Sequence, residues 1–296
     1  MDRHLREAER AAWDDEPVRL ALELLRAGRR SEALDRLAAA WGSGDPAARG
    51  LFLEVLESLS DADRLLCAPH LDRLACAGLE DAEAVWRRWF PEATRIVGAG
   101  VLSVREFLYQ HAEGSEPLLL HGESGVGINL CAEVFHDLRG QGEFVREIVS
   151  AIAAPLWEQA LSTLEAAPPG STVFAAYAAP DQGPRGWVEQ LMKSCAAKGS
   201  RAVFGGFRVE GWPSELVRCR VPPLRERFQD LPALTSLLLQ RQGVEEQLTP
   251  EAVAHLRSHT WGGNVRELDC VLRRATTLAD GCVSDALLAS WIPGAQ

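Results

Sequence analysis

The sequence predicts an α/β fold in which a parallel sheet of five strands lies between helices, with further helices before and after it. Strand and helix patterns alternate between residues 118 and 221, which is typical of a parallel sheet covered on both faces. A glycine-rich turn joins the first strand to an amphipathic helix. Both flanking regions carry apolar residues at helical spacing. We therefore expect a helical region over 1–92, an α/β region over 93–221 and a smaller helical region over 222–296.

Composition narrows the class of protein. The chain has 296 residues, of which 47% are hydrophobic, so it can bury a core and is not extensively disordered. No apolar stretch is long enough to span a membrane, and residues 1–6 lack the apolar segment of a signal peptide. A net charge of -11 and a pI near 5.2 argue against a nucleic-acid binder. We expect a cytoplasmic protein that binds neither DNA nor membranes.

The seven cysteines are scattered and form no C-x-x-C pair. Their positions lie mostly in apolar or amphipathic runs, which favours small buried hydrophobes in a reducing compartment over a metal or redox site. They are Cys67, Cys76, Cys131, Cys195, Cys219, Cys270 and Cys282.

The first region is predicted to be helical throughout. Apolar residues recur at helical spacing from Val18 to Leu25, Gly28 interrupts them, and Ser31 is placed to cap a second helix that ends near Trp41. This pair resembles a tetratricopeptide-type hairpin, but a single hairpin leaves an irregular bundle equally open. Either arrangement offers grooves that bind other proteins. Further helices are expected at 51–59, 63–77 and 81–90, with Trp86, Trp89 and Phe90 packed at the domain junction.

The α/β region reads as five strands separated by helices. The strands are predicted at 118–121, 144–149, 172–178, 202–207 and 216–221, and helices at 130–138, 156–164 and 187–197.

The last region is again helical. A helix is predicted at 232–240, and Thr249 is placed to cap the next one. Asn264 and Glu267 have the spacing of a capping box, in which both side chains satisfy N–H groups at a helix start. Gly281 is expected to close that helix and Ser284 to open a short last one.

The glycine-rich turn has the layout of a phosphate-binding loop, G-x-x-x-x-G-K-[ST], with Gly122 and Gly127 at the glycine positions. Two working positions differ. Ile128 stands where a lysine would reach the phosphates, and Asn129 stands where a hydroxyl would hold magnesium.

Several motifs from Ile96 onward together resemble the AAA+ ATPase domain of bacterial enhancer-binding proteins, the sigma-54-dependent transcriptional activators. The family's sequences G-E-S-G-T-G-K-E, L-P-P-L-R-E-R-x-x-D-I-P and W-P-G-N-V-R-E-L are similar to residues 122–129, 221–232 and 261–268. Shorter matches are Ile96-Val97-Gly98, Phe144-Val145 and 278–281. The resemblance implies an αβα sandwich over 93–221 with a helical lid over 222–296.

The resemblance also locates the family's catalytic positions, and this chain departs from each. Alignment of 170–175 with the Walker B strand places Ala176 and Tyr177 where Asp and Glu belong, and Phe207 takes the place of the sensor I Asn. The arginine-finger segment is reduced to 212–217. Arg218 and Arg220, which follow it, are interpreted as solvated charges.

These departures predict a protein that is not an enzyme. A P-loop hydrolase needs a lysine, a magnesium ligand, a water-orienting carboxylate and an arginine, and this chain lacks the set. We expect no metal site and no cofactor. Binding of ATP or ADP without hydrolysis is the alternative, through backbone N–H groups of the loop and the sensor II arginine. The residues of that vestigial site would be Gly122, Gly125, Val126, Gly127 and Arg266.

The expected role is therefore that of a regulatory or adaptor protein. Residues 150–169 lack the G-A-F-T-G-A loop through which the family contacts sigma-54, and the chain reaches Gln296 without a helix-turn-helix after the lid. We expect a protein partner, bound through the helical region and the AAA+ surface. A nucleotide sensor that modulates a sigma-54-type complex is the second hypothesis. A stable homohexamer is not expected, which leaves a monomer, a dimer or a hetero-complex.

Overall fold

The computed structural model describes residues 16–149, 154–178, 186–244, 248 and 250–278. The predictions made for Thr249, Gly281, Cys282 and Ser284 lie outside the described residues. The chain divides into two compact units, Met1–Thr94 and Arg95–Gln296.

The described part of the first unit is helical, as predicted. Its helices are α1 (Glu16–Arg26), α2 (Arg30–Gly42), α3 (Pro46–Ser58), α4 (Asp61–Arg64), α5 (Ala68–Cys76) and α6 (Glu80–Trp89). Gly28 follows α1 with a φ of +76°, which a glycine adopts without strain. Asp45 caps α3 by accepting hydrogen bonds from the N–H groups of Ala47 (2.9 Å) and Ala48 (3.2 Å).

Two predictions for this unit are wrong in detail. Ser31 does not cap α2, because the helix begins one residue earlier and Arg29 precedes it without a side-chain cap. The helix predicted over 63–77 is split into α4 and α5. Pro69 explains the break, since it has no N–H to donate to the C=O four residues earlier. Trp86 and Phe90 are buried, as predicted. The guanidinium carbon of Arg64 lies over the Trp89 ring, 4.4 Å from the centroid of that ring.

The second unit contains a five-stranded parallel sheet in the order β2-β3-β4-β1-β5. The strands are β1 (Leu118–His121), β2 (Phe144–Ile148), β3 (Thr172–Ala178), β4 (Arg201–Gly206) and β5 (Val217–Arg220). Leu118, Leu119 and Leu120 are fully buried between β4 and β5, as expected for an apolar run in a parallel sheet. The predicted fold class is thus confirmed.

Helices cover both faces of this sheet. They are α7 (Leu102–His111), α8 (Ile128–Arg139), α9 (Ala154–Glu165) and α10 (Trp187–Ala197). One core lies beside α8 and includes Phe135 and Phe174. The other lies beside α9 and α10, where Trp157 and Trp187 meet with ring centroids 5.0 Å apart.

The C-terminal helices, called the lid below, are α11 (Leu231–Arg241), α12 (Pro250–Arg257) and α13 (Asn264–Leu278). Trp261 is fully buried among their apolar side chains and donates its indole N–H to the Leu256 carbonyl (2.7 Å). The predicted capping box is wrong. Glu267 instead accepts from the Gly263 N–H (2.8 Å), and the Asn264 side chain leaves its own helix.

Four cysteines, Cys67, Cys131, Cys195 and Cys219, are buried as small hydrophobes, whereas Cys76 and Cys270 are exposed, contrary to the prediction for them. Burial raises the pKa of the Cys131 and Cys219 thiols to about 12, so both stay protonated. Within the described ranges, no helix is long and apolar enough to cross a membrane.

Candidate functional site

The glycine-rich loop follows the carboxyl end of β1 and leads directly into α8. Gly125 and Gly127 have φ values of +81° and +112°, and Gly127 occupies the position before the first helical residue. A side chain at Gly122 would meet the Val221 carbonyl at 2.6 Å. The three glycines therefore keep the backbone of a phosphate loop, in which N–H groups gather at a helix N-terminus.

The position of the phosphate-binding lysine has become part of the hydrophobic core. Ile128 is the first residue of α8 and is only 7% exposed. It belongs to the core cluster that also contains Val126, Phe174 and Val203. Gly205 on β4 makes room for it, since a Cβ there would lie 3.0 Å from Ile128 Cγ2. An apolar side chain in this place offers nothing to a phosphate and stabilises the sheet–helix packing instead.

Two of the other positions that the resemblance marks as catalytic, Ala176 and Phe207, carry apolar side chains. Ala176 is fully buried on β3 in the same cluster as Ile128. Tyr177 follows it on the strand, and its side chain lies outside the described residues. Phe207 lies just beyond the end of β4 and is 49% exposed. Ile128 and Ala176 therefore meet in one apolar core, and Phe207 does not join them.

The lid contacts the loop directly through hydrogen bonds. Asn264 is fully buried, and its amide donates to the Ser124 carbonyl (3.0 Å) and to Glu123 Oε2 (3.3 Å). Its side-chain oxygen accepts from the Leu224 N–H (2.8 Å). Asn264 holds a φ of +54°, an uncommon conformation that asparagine tolerates better than most residues. The Asn264 side chain thus joins the start of the last lid helix to the glycine-rich loop and to Leu224, which precedes the lid.

Backbone contacts complete this junction. The Arg266 N–H donates to the Gly125 carbonyl (3.3 Å), and a Cβ on Gly125 would lie 2.1 Å from the Gly263 carbonyl oxygen. Arg227, which is buried, donates to the Val126 carbonyl (3.1 Å). Three successive carbonyls of the loop therefore accept hydrogen bonds. Those of Ser124 and Gly125 accept from the lid, and that of Val126 accepts from Arg227 in the segment just before it.

An ion pair closes the outer side of the junction. Both guanidinium nitrogens of Arg225 donate to the two carboxylate oxygens of Glu123, one of them at 2.7 Å. The hydrogen bonds from Arg225 and then from Asn264 hold the pKa of Glu123 at about 2, far below its usual range. Both partners are about 40% exposed (42% and 43%), so solvent screens the pair.

A cleft of about 360 Å³ remains between the loop, α8 and the lid helices. Cations and anions line it in equal number: Arg146, Arg241 and Arg266, with Glu123, Glu133 and Asp269. Glu133 pairs with Arg146 (3.6 Å), and the Arg266 guanidinium donates to Ser124 Oγ (3.3 Å). The cleft has the size of a small-molecule site, but its charges are balanced.

The predicted site residues are therefore brought together. Gly122, Gly125, Val126 and Gly127 form one loop, and Arg266 reaches it from the lid. Arg218 and Arg220, interpreted from the sequence as solvated, are exposed but bonded: Arg218 donates to the Trp212 carbonyl (3.2 Å) and Arg220 forms an ion pair with Glu226 (2.7 Å). In the part of the chain that the structure describes, no cluster of three or more His, Cys, Asp or Glu could hold a metal ion.

Sequence reasoning did not identify the residues that join the lid to the loop. The loop that contains Glu123 is separated by 101 to 141 residues from Arg225, Arg227 and Asn264, so helical or strand periodicity gives no sign that they meet it. The signal that was present is the clustering of charged and amide side chains in all three motifs, next to glycines in two of them, the loop and residues 261–268.

A parallel sheet with a phosphate loop after its inner strand β1, and a helical lid bonded to that loop, defines a P-loop domain of the AAA+ class. Comparison with known proteins supports this assignment. The sequence family described as the AAA+ ATPase lid domain matches residues 225–289.

Two curated relatives are named as regulatory proteins. The response regulator protein PilR of Pseudomonas aeruginosa is 27% identical, over 64% of this chain and 54% of its own length. The Nif-specific regulatory protein of Azotobacter vinelandii is 44% identical over 70 residues, which is 22% of this chain and 13% of that protein. The chain spans about half, or less, of these relatives. They confirm the resemblance to sigma-54-dependent enhancer-binding regulators.

Solved structures agree on the fold. NtrX from Brucella abortus, solved in complex with ADP, has a TM-score of 0.56 at 21% identity, over 75% of this chain and 60% of that one. RuvB from Thermotoga maritima has a TM-score of 0.51 at 12% identity, over 66% of this chain and 68% of that one. At such low identity these likenesses establish the AAA+ fold alone.

Proposed function

We propose that this protein is a non-catalytic AAA+ regulator, a pseudo-ATPase that acts by binding a protein partner. The observation that carries the proposal is the burial of Ile128 and Ala176 in one apolar core, at the two positions where a P-loop hydrolase needs a cation and a carboxylate. Phosphoryl transfer depends on charge stabilisation around the phosphates, and removing single groups of this kind costs orders of magnitude in rate.

The junction between lid and loop supports the same proposal. In an AAA+ domain that works by nucleotide turnover, the lid must respond to the nucleotide at the loop. Here hydrogen bonds from Asn264, Arg225 and Arg227 hold the loop carbonyls and Glu123. The scaffold can therefore present a fixed surface to a partner. We place protein contacts on the helices of the first unit and on the AAA+ surface, and the acidic net charge of -11 favours a basic partner.

Phosphate release tests the absence of catalysis. The purified chain, incubated with ATP and Mg²⁺, is expected to release phosphate no faster than an Arg266→Ala variant, because the wild-type site contributes no chemistry for the variant to lose. A rate well above that of the variant, abolished by a magnesium chelator, would contradict the proposal.

Co-purification tests the adaptor role. The tagged full-length chain, recovered from its native cells, is expected to bring down one protein in a fixed ratio, and washing with ATP or ADP should not release it. Recovery of the chain alone, or release of the partner by nucleotide, would argue against a nucleotide-independent adaptor.

A nucleotide sensor without turnover is the second candidate, and the cleft favours it. Gly125 and Gly127 keep left-handed conformations, and Arg266 and Arg241 line the same 360 Å³ space. Titration calorimetry with ATP and ADP, with and without Mg²⁺, separates the candidates. Saturable heat that Arg266→Ala removes would support the sensor, and the absence of heat together with an unchanged melting temperature would exclude it.

A further inference from the structure

The outer strand of the sheet, β2, leaves part of its backbone without a strand partner among the described residues. It bonds only to β3 among the described strands. The Thr172 N–H donates to the Glu143 carbonyl (2.8 Å) and the Val149 N–H donates to the Ala176 carbonyl (2.9 Å). In a parallel pair, the backbone N–H and C=O groups of every second residue point to the same neighbouring strand. These two bonds show that the residues of β2 whose backbone groups point to β3 are the odd-numbered ones. The N–H and C=O groups of the intervening residues, Phe144, Arg146 and Ile148, point to the open edge.

A groove runs beside this edge on the side of α9. It has a volume of about 490 Å³ and is lined by Val145 of β2, by Gln159, Ser162 and Thr163 of α9, and by Ala166 just after that helix. These side chains are small or uncharged, so the groove has room for side chains of a strand that pairs with β2. At the far end of β2, Ile148 is 50% exposed, which is unusual for a large apolar residue on a strand.

Charge distinguishes the two faces of the edge. Glu143 and Glu147 lie on the same face as Val145 because side chains alternate along a strand, and neither forms an ion pair with a described cation. On the opposite face, Phe144 and Ile148 are apolar, and the Arg146 between them is held by Glu133 at 3.6 Å. A strand laid against this edge would therefore meet carboxylates on one face and apolar side chains on the other.

We propose that the β2 edge and its groove form a docking site for an extended segment of a partner protein in which Lys or Arg alternates with apolar residues. The open N–H and C=O groups recur every second residue, a spacing that only another extended backbone satisfies repeatedly. Cations of the segment pair with Glu143 and Glu147, and its apolar residues cover Phe144 and Ile148. This inference rests on the proposed function, because it names the kind of partner that the adaptor binds.

A synthetic peptide tests the site. The probe is a fluorescent heptapeptide that alternates lysine and valine, titrated with the full-length chain and followed by fluorescence anisotropy. Two control peptides are used: the same heptapeptide with glutamate in place of lysine, and the lysine peptide with alternate backbone nitrogens methylated. We expect binding of the first peptide only. Equal binding of the glutamate or the methylated peptide, or no binding of any, overturns the proposal.

A matched pair of variants localises the binding. Arg146→Pro removes one outward N–H, leaves the bonds to β3 intact and suits an edge strand, whereas Arg146→Ala removes the same side chain and keeps the N–H. We expect Arg146→Pro to bind the lysine peptide about tenfold more weakly than Arg146→Ala. Similar affinities of two folded variants contradict the proposal. If Arg146→Pro is not folded, the methylated peptide on the wild-type chain still decides.

The acidic face gives a second comparison. Glu143→Gln with Glu147→Gln should weaken binding of the lysine peptide about threefold to tenfold at low salt, whereas Glu80→Gln on α6 should leave it unchanged. If the edge instead pairs with a second copy of this chain, light scattering will show a dimer that Arg146→Pro dissociates, and the proposal fails. The adaptor proposal is judged separately, because a partner that co-purifies with Arg146→Pro as well as with Arg146→Ala would retain it while rejecting this site.

Discussion

At the scale of single residues, Ile128 shows how a position that the resemblance marks as catalytic contributes to the hydrophobic core. Its side chain fills the space that the absence of a side chain at Gly205 leaves open, between α8 and the sheet. A lysine in this position would have to place its ammonium in the same apolar surroundings or turn away into the cleft. The sequence identified the missing lysine, but only the packing explains why an apolar residue is favoured here.

We expect Ile128→Ala to destabilise the protein by about 2–5 kcal/mol, because it removes buried methyl groups from a packed core. Ile128→Val is the matched control and should cost only about 0.5–1.5 kcal/mol. Urea unfolding followed by circular dichroism measures both values. If Ile128→Ala unfolds at the wild-type urea concentration, the side chain does not contribute to the core as described.

The pH dependence of stability provides a second test at this scale. Because the pKa of Glu123 is about 2 in the folded chain and close to its usual range when unfolded, its carboxylate stabilises the fold above roughly pH 4.3. That stabilisation is lost as the pH falls from there through about 2. The difference in urea midpoint between wild type and Glu123→Gln should therefore be present at pH 6 and shrink in acid. Glu189→Gln, an exposed acid on α10, is the control, and a difference that does not depend on pH would contradict the assignment.

At the scale of elements, the loop and the start of α13 behave as one structural piece. The Gly125 and Gly263 backbones approach so closely that no side chain fits between them, whereas Gly127, two residues further along, has no neighbouring atom within 4 Å of a built Cβ. Gly125 and Gly127 both have a positive φ but differ in what surrounds them, so their alanine variants form a matched pair.

We expect Gly125→Ala to loosen the lid and Gly127→Ala to leave it in place. An alanine at either position costs roughly 1–2 kcal/mol of backbone strain, but only at Gly125 does the methyl group collide with the Gly263 carbonyl. Hydrogen exchange measured by mass spectrometry should therefore increase in residues 264–278 of Gly125→Ala alone. Equal exchange of that helix in the two variants would show that the close approach does not hold the lid.

The elements also show where sequence reasoning succeeds and where it fails. β1 was predicted correctly because Leu118 to Leu120 are buried on both sides, so local composition reports the environment directly. The capping box at Asn264 was wrong because that side chain bonds to Leu224 and Ser124, which are distant in sequence. The predicted cap at Ser31 was wrong because α2 starts one residue before it. Local patterns predict elements well, whereas contacts between motifs require the fold.

At the scale of the whole molecule, the AAA+ architecture has been kept while its catalytic interior is apolar. The sheet order, the loop and the lid need no charged groups at the positions of Ile128 and Ala176, because β-strand pairing and the apolar cores determine them. Under the proposed function, architecture and chemistry are separable in this chain, and its surfaces carry the function.

Restoring the missing residues tests this separation directly. The variant Ile128→Lys/Ala176→Asp/Tyr177→Glu introduces one ammonium and two carboxylates. The ammonium and the aspartate carboxylate enter a core in which Ala176 is fully buried and Ile128 nearly so. Because buried charges are costly even as a pair, we expect a lower urea midpoint than for the control Ile128→Val/Ala176→Ser, and no phosphate release from ATP and Mg²⁺. Magnesium-dependent hydrolysis by a stably folded triple variant would instead show that the cleft between loop and lid still accommodates the reaction and lacks only its side chains.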